Sequence, residues 1–202
     1  PIRAGMAGGS ADAAAVLVGL NALYCAGLTT QELCAIGSTV GADVPFALVG
    51  GTARVGGFGE RIEPLPAMPD CFFVAVMPGY GISTPQAFAA YDKVGTKQRP
   101  ATDKAVEALR RGDYNALCPC LANVLEQASG GKDTERIGAA LRREGADAAL
   151  MTGSGAVVYG MFRNEETAEK ALLQLKRQWQ KVWVLRPVPY GARVETTAKL
   201  HF

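Results

Sequence analysis

Three short stretches of this chain combine residue types and spacings that could do chemistry. The first is GMAGGSADAA (Gly5–Ala14), a glycine cluster that runs straight into an alanine-rich apolar segment. It lacks the GK[ST] ending of a P-loop, and Gly5, Gly8 and Gly9 do not fit GxGxxG. It still has the makings of an anion site, because glycines admit a ligand close to the backbone and a helix starting near Ser10 would aim unpaired N–H groups and a partial positive charge at a phosphate. The bland alternative is a tight turn capping a packed helix, with Ser10 or Asp12 satisfying the first N–H groups. The second stretch is GADVPF, where Asp43 is either a turn or cap aspartate or a carboxylate that deprotonates a hydroxyl nucleophile. In the third, MTGSGAVVYGMF, the glycines around Ser154 permit a tight hairpin or place backbone amides against a ligand or against the first glycine loop.

Composition narrows the choices. The single histidine, His201, is the penultimate residue and reads as a solvated tail residue, which argues against a Ser-His-Asp triad, a Cys-His pair or a multi-His metal site. Acid and base work falls to carboxylates, Lys, Tyr or Cys. With 49% hydrophobic and 20% charged residues the chain is too apolar for a disordered protein, and 202 residues suffice to bury roughly 70 to 75% of the unfolded surface. A net charge of +2 with scattered basic residues carries no nucleic-acid footprint. No apolar run reaches the roughly 18 residues of a membrane span, since Asp12, Gly19 and Asn21 interrupt the stretch after Ser10. Five cysteines without a CxxC pair suggest reduced thiols in a cytoplasmic protein.

The elements that must position these stretches follow from periodicity. Ala13, Val16, Leu17, Leu20, Leu23 and Tyr24 recur at helical spacing, predicting a core-packed helix over about 10–25 that Gly27 stops. Thr29 and Glu32 form a capping box for a second helix ending before Gly41. GGTARVGGFGERIEPLP reads as short strands with glycine turns, and Pro64, Pro66 and Pro69 mark a domain boundary. CFFVAVMPG is a buried strand, and Ser83 or Thr84 before Pro85 opens a helix carrying Phe88 and Tyr91. Two helices are expected over about 102–111 and 114–128, then helix, strand, turn, strand, helix and strand from Asp133. In the last of these helices Glu165 and Glu166 lie in the first turn, with Lys176, Arg177 and Lys181 towards the end. The class is α+β, with a ferredoxin-like second half.

Taken together and in order, PIRAGMAGGSADAAAVLVGLNALY, GADVPFAL with GFGERIEPL behind it, PGYGISTPQAF, NVLE and MTGSGAVVYGMF resemble the GHMP kinases over nearly the whole chain. GGSADAA, GADVPF and STPQAF are the specific parts, whereas the TGSG turn is shared more widely in that family. The resemblance implies a GHMP kinase fold: the remnant of a ribosomal-protein-S5-like ATP-binding domain over 1–66, then a ferredoxin-like C-terminal domain over 67–202. It implies ATP as co-substrate with Mg²⁺, and a small-molecule alcohol as acceptor. Pro1, Ala4, Gly5, Met6, Ala7, Gly8, Gly9 and Ser10 would wrap the triphosphate, and Asp43 would accept the proton of the attacking hydroxyl. Thr84 and Phe88 match positions that contact a cytidine moiety, which points to the branch of the family acting on a cytidine-bearing alcohol in isoprenoid precursor synthesis. Thr152, Gly153, Ser154 and Gly155 match the C-terminal loop that closes over the ligands. Where the family often shows two serines this chain has Ser10 and Ala11, so no metal ligand is assigned beyond the Ser10 hydroxyl as a candidate. Rival readings are a homoserine- or mevalonate-type kinase and a non-catalytic nucleotide-binding module. Family members begin with a segment bearing a lysine, a tyrosine-histidine stretch and part of the adenine pocket. Because Pro1 falls inside the phosphate-loop motif, the resemblance leads to the expectation that the chain is the C-terminal part of a longer kinase and has little or no activity by itself.

Overall fold

The computed structural model describes residues 2–96 and 99–195, so the expectations for Pro1 and His201 lie outside the described residues. The chain divides into two units: residues 1–6 with 66–187, and residues 7–65 with 188–202.

The unit that starts at Ala7 contains α1 (Gly8–Leu23), α2 (Thr30–Val40), α3 (Val44–Val49) and an antiparallel hairpin of β1 (Thr52–Gly56) and β2 (Arg61–Leu65). Asn21 ties the α1–α2 connection from both sides: its Nδ2 donates to the Leu28 carbonyl at 3.0 Å and its Oδ1 accepts from the Leu28 N–H at 3.0 Å. The capping box forms as the sequence predicts, with Thr29 and Glu32 satisfying each other's backbone N–H groups ahead of α2. Ala14, Leu33, Val44 and Leu48 make the core, flanked by Ala13, Leu17 and Val18. Gly37 lets α2 and α3 approach closely, since a Cβ there would lie 2.8 Å from Val44 Cγ1. The C-terminal segment returns to this unit, where the Ala192 N–H donates to the Ala47 carbonyl at 2.9 Å.

Helix α1 corrects one expectation. Val16, Leu20, Leu23 and Tyr24, expected in the core, are 46 to 74% exposed, and the buried stripe is Ala14 with Leu17, Val18 and Asn21. The helix is apolar on nearly every side, so periodicity marks it as a helix but cannot choose which face packs.

The other unit is built on a four-stranded antiparallel sheet in the order β4-β5-β3-β6, from β3 (Phe72–Met77), β4 (Ala148–Met151), β5 (Val158–Phe162) and β6 (Lys181–Leu185). Helices α4 (Thr84–Val94), α5 (Thr102–Arg110), α6 (Tyr114–Leu117), α7 (Val124–Ser129) and α8 (Lys132–Arg143) lie between β3 and β4, and α9 (Glu165–Leu175) lies between β5 and β6. Strand order and connections together give the ferredoxin-like pattern. The run CFFVAVMPG lacks alternation because both faces of central β3 are covered. Val74 and Val76 pack with Ile137 and Leu141 of α8 and with Ala168, Ala171 and Leu175 of α9, while Ala75 and Met77 pack with Ala4 and Val157.

Two further expectations change. Residues 114–128 form no single helix: α6 tightens into a 3-10 turn over Cys118–Cys120, Leu121 turns extended, and Asn123 caps α7 afresh. Pro119 cannot donate the hydrogen bond that would carry the helix through. Helix α9 ends at Leu175, so Lys176 is its C-cap and Arg177 and Lys181 lie beyond it, whereas the acidic first turn is as expected. Among the described residues no helix is long and apolar enough to cross a membrane, and all five cysteines are free thiols.

Candidate active site

Within the β3–β6 unit, two glycine-bearing segments lie against each other. The Ala156 and Val157 N–H groups donate to the Arg3 and Ala4 carbonyls at 3.3 and 3.2 Å, and Thr152 Oγ1 donates to the Gly5 carbonyl at 2.9 Å. Gly5 has φ +71, and a Cβ on it would overlap the Thr152 carbonyl oxygen and stand 2.6 Å from the Gly155 nitrogen. Only glycine fits both the dihedral and the gap. The loop after β4 therefore packs on the first glycine loop, as one of the two sequence readings anticipated, and it closes on itself through the Gly155 N–H to the Thr152 carbonyl at 2.9 Å.

The substrate-side candidates join the same cluster. Ser83 caps α4, its hydroxyl accepting from the Gln86 N–H, which fixes Thr84 in the first turn. Thr84 Oγ1 and Ser154 Oγ share a hydrogen bond of 3.0 Å, and Ser154 is only 9% exposed. Phe88 does not enter the core: its ring is 52% exposed and borders a cavity of about 460 Å³ with Tyr91, Val124, Leu125, Thr152 and Gly153. The core reading that helical spacing alone would favour for Phe88 is thus replaced by a ring face open to a cavity.

In the other unit, α1 starts at Gly8 with Ala7 as N-cap in the left-handed region, φ 49, and no side chain caps it. Neither Ser10 nor Asp12 takes the capping role, since both already lie inside the helix. Gly8 and Gly9 are exposed and Ser10 is half-buried, so the first turn of a 16-residue helix keeps its N–H groups free of side-chain caps. Asp43 sits at the N-cap position of α3, yet its side chain makes no cap hydrogen bond and stays exposed. Pro45 in the first turn of α3 removes one N–H that would otherwise need a cap. Among the described residues no three His, Cys, Asp or Glu side chains converge into a cation cage. Mg²⁺ requires none, because it keeps waters and phosphate oxygens and takes one or two protein groups.

Sequence reasoning missed Tyr91, Asn123 and Glu126. Tyr91 follows Phe88 by three residues and so shares its helical face, a signal that was available. Asn123 and Glu126 sit in NVLE, which belongs to the family resemblance without a role for either residue and whose local sign is an Asn three residues ahead of a Glu at a helix start.

Comparison with known proteins bears on both units. Residues 1–51 match the GHMP kinases N terminal domain and residues 105–181 match GHMP kinases C terminal. The chain belongs to the GHMP kinases. Over 188 residues, 92% of its length, this GHMP kinase chain is 41% identical to the 4-diphosphocytidyl-2-C-methyl-D-erythritol kinase of Geobacillus sp. (strain WCH70) and 39% identical to that of Bacillus cereus (strain B4264). It spans 65% of the length of each of these relatives. Its fold matches the crystal structure of 4-(cytidine 5'-diphospho)-2C-methyl-D-erythritol kinase with a TM-score of 0.75 at 34% identity, covering 91% of this chain and 66% of that one. Homoserine kinase from Cytophaga hutchinsonii superposes with a TM-score of 0.76 at 16% identity, over 95% of this chain and 68% of that one, a likeness of fold alone.

Proposed function

We propose that this GHMP kinase chain belongs to an enzyme that phosphorylates the 2-hydroxyl of 4-diphosphocytidyl-2-C-methyl-D-erythritol with ATP, in the cytoplasm, as a step of non-mevalonate isoprenoid precursor synthesis. The observation that carries this reading is the exposed ring of Phe88 beside a cavity, on the helix whose Thr84 hydroxyl is bonded to Ser154. A flat apolar face next to hydroxyl and amide groups suits a pyrimidine base, and a kinase for homoserine or mevalonate has no use for one. The names of the 39 to 41% identical relatives point the same way.

In this reading the loop from Ala4 to Ser10 lies along the triphosphate, with the uncapped first turn of α1 supplying N–H groups and the positive end of the helix dipole. Mg²⁺ would neutralise charge on the phosphate oxygens when bound, and the Ser10 hydroxyl is the group of this loop that would help hold it. The Asp43 carboxylate, free of capping duty, accepts the proton of the acceptor hydroxyl. Thr84 and Phe88 hold the cytidine end, and Gly153, Ser154 and Gly155 supply amides and a hydroxyl to the ligand side. Phosphoryl transfer needs little more from a protein than positioning and charge stabilisation, which suits a site without histidine.

The test is a coupled ADP assay on the longest open reading frame that contains these 202 residues, with ATP, Mg²⁺ and the cytidine substrate, in wild-type and Asp43→Asn forms. The expected outcome is substrate-dependent ADP release, competed by CMP, that falls by about 10² to 10⁴-fold in the variant while ATP binding persists. ADP release with homoserine or mevalonate in place of the cytidine substrate would overturn the assignment.

A further inference from the structure

Strand β4 is an edge strand, so the N–H and C=O groups on its outer side have no strand partner. Side chains take the partner's place. Asn123 Nδ2 donates to the Met151 carbonyl at 2.8 Å and to the Gly153 carbonyl at 2.8 Å, while Asn123 Oδ1 accepts from the Leu125 N–H at 2.9 Å. Glu126 Oε2, one turn along the same helix, accepts from the Met151 N–H at 3.1 Å. Arg142 extends the seal by donating to the Ala149 carbonyl at 2.6 Å. Met151 is thus held at both its N–H and its C=O from one side, and Gly153 at its C=O. On the opposite side Thr152 holds Gly5.

We propose that Asn123 and Glu126 are positioning residues for the kinase reaction: they set the height and tilt of the 152–155 loop so that Ser154 and the loop amides meet the ligand. The proposal rests on the functional reading above. Both hydrogens of the Asn123 amide are spent on carbonyls that bracket Thr152, and its oxygen starts α7, so a single side chain couples a helix start, a strand edge and a ligand loop. A serine, threonine or aspartate caps a helix as well, but none offers two donors from one planar group. The residue type therefore answers to the loop and not to the cap alone.

The experiment separates those roles. Asn123→Asp keeps the cap acceptor and turns a carboxylate towards two carbonyls; Glu126→Gln keeps an acceptor for the Met151 N–H, and Glu126→Ala removes it. Turnover is measured in the longest reading frame, and hydrogen exchange of the Thr152 and Gly155 amides is compared with that of β3 and α8. The expected result is a kcat lower by about 10²-fold for Asn123→Asp, the scale of a reacting geometry misplaced by about 1 Å. KM for ATP should change little, exchange should quicken at Thr152 and Gly155 but not in β3, and Glu126→Gln should behave like wild type where Glu126→Ala does not. Wild-type turnover in Asn123→Asp, or faster exchange spread evenly over β3 and α8, overturns the proposal. Should the wild-type enzyme ignore the cytidine substrate, the functional reading falls, and the exchange of Thr152 and Gly155 by itself decides whether the clamp sets the loop.

Discussion

Gly5 shows how little freedom a residue at the junction of two glycine loops has. Its φ of +71 and the missing space for a Cβ act together, so Gly5→Ala should lower stability by about 2 kcal/mol or more, read as a drop in the urea midpoint. The thiols differ as sharply. Burial pushes the Cys71 thiol up to about 11, with the nearby Cys118 and Asp70 adding to the shift, whereas Cys25 is exposed. Iodoacetamide at pH 8 should therefore label Cys25 long before Cys71, checked by peptide mass mapping. Burial also raises the Glu126 carboxyl, against the opposing pull of the Met151 N–H and Arg142, and burial raises the Tyr159 hydroxyl, with the Glu126 charge adding to it. With the folded value above the unfolded one, the stability this group lends is complete below about pH 4.3 and is lost as pH rises through the folded value. Glu126→Gln should flatten that slope in urea midpoints collected from pH 4 to 7. Gly5 and Asp43 stand out in the sequence because a glycine cluster and an aspartate two residues before a proline carry local signatures, whereas Phe88 stands out only through the resemblance. Asn123 enters the sequence reading only inside the NVLE of the resemblance and without a role, because its bonds run to two carbonyls 28 and 30 residues away.

At the scale of elements, strand β3 and helices α2, α8 and α9 were legible because local signals and packing agree in each. Asn164 caps α9 by accepting from the Thr167 N–H at 2.9 Å, and Asn164→Ala should cost about 1 kcal/mol in chemical denaturation. Phe162 is wholly buried between sheet and helices, and Phe162→Ala should cost about 3 to 5 kcal/mol by the same measurement. The stretch from 114 to 128 was misread because its apolar spacing continues through Pro119, where the backbone cannot. Helix α1 was half legible: its existence follows from composition, its buried face from what α2 and α3 present to it, which no local pattern encodes.

For the whole chain, α1 poses a direct test of where stability resides. In the 202-residue chain Leu23→Lys should change stability by no more than about 0.5 kcal/mol, whereas Leu33→Ala, on the packed side of α2, should cost about 2 to 5 kcal/mol. The hydrogen bond from Thr152 to Gly5 joins residues 147 apart in sequence. On a ribosome adding about 5 to 20 residues per second, Gly5 must wait roughly 7 to 30 s before its partner exists. The first glycine loop therefore cannot take its final shape until long after it is made, and throughout that interval it is a segment open to chaperones and proteases.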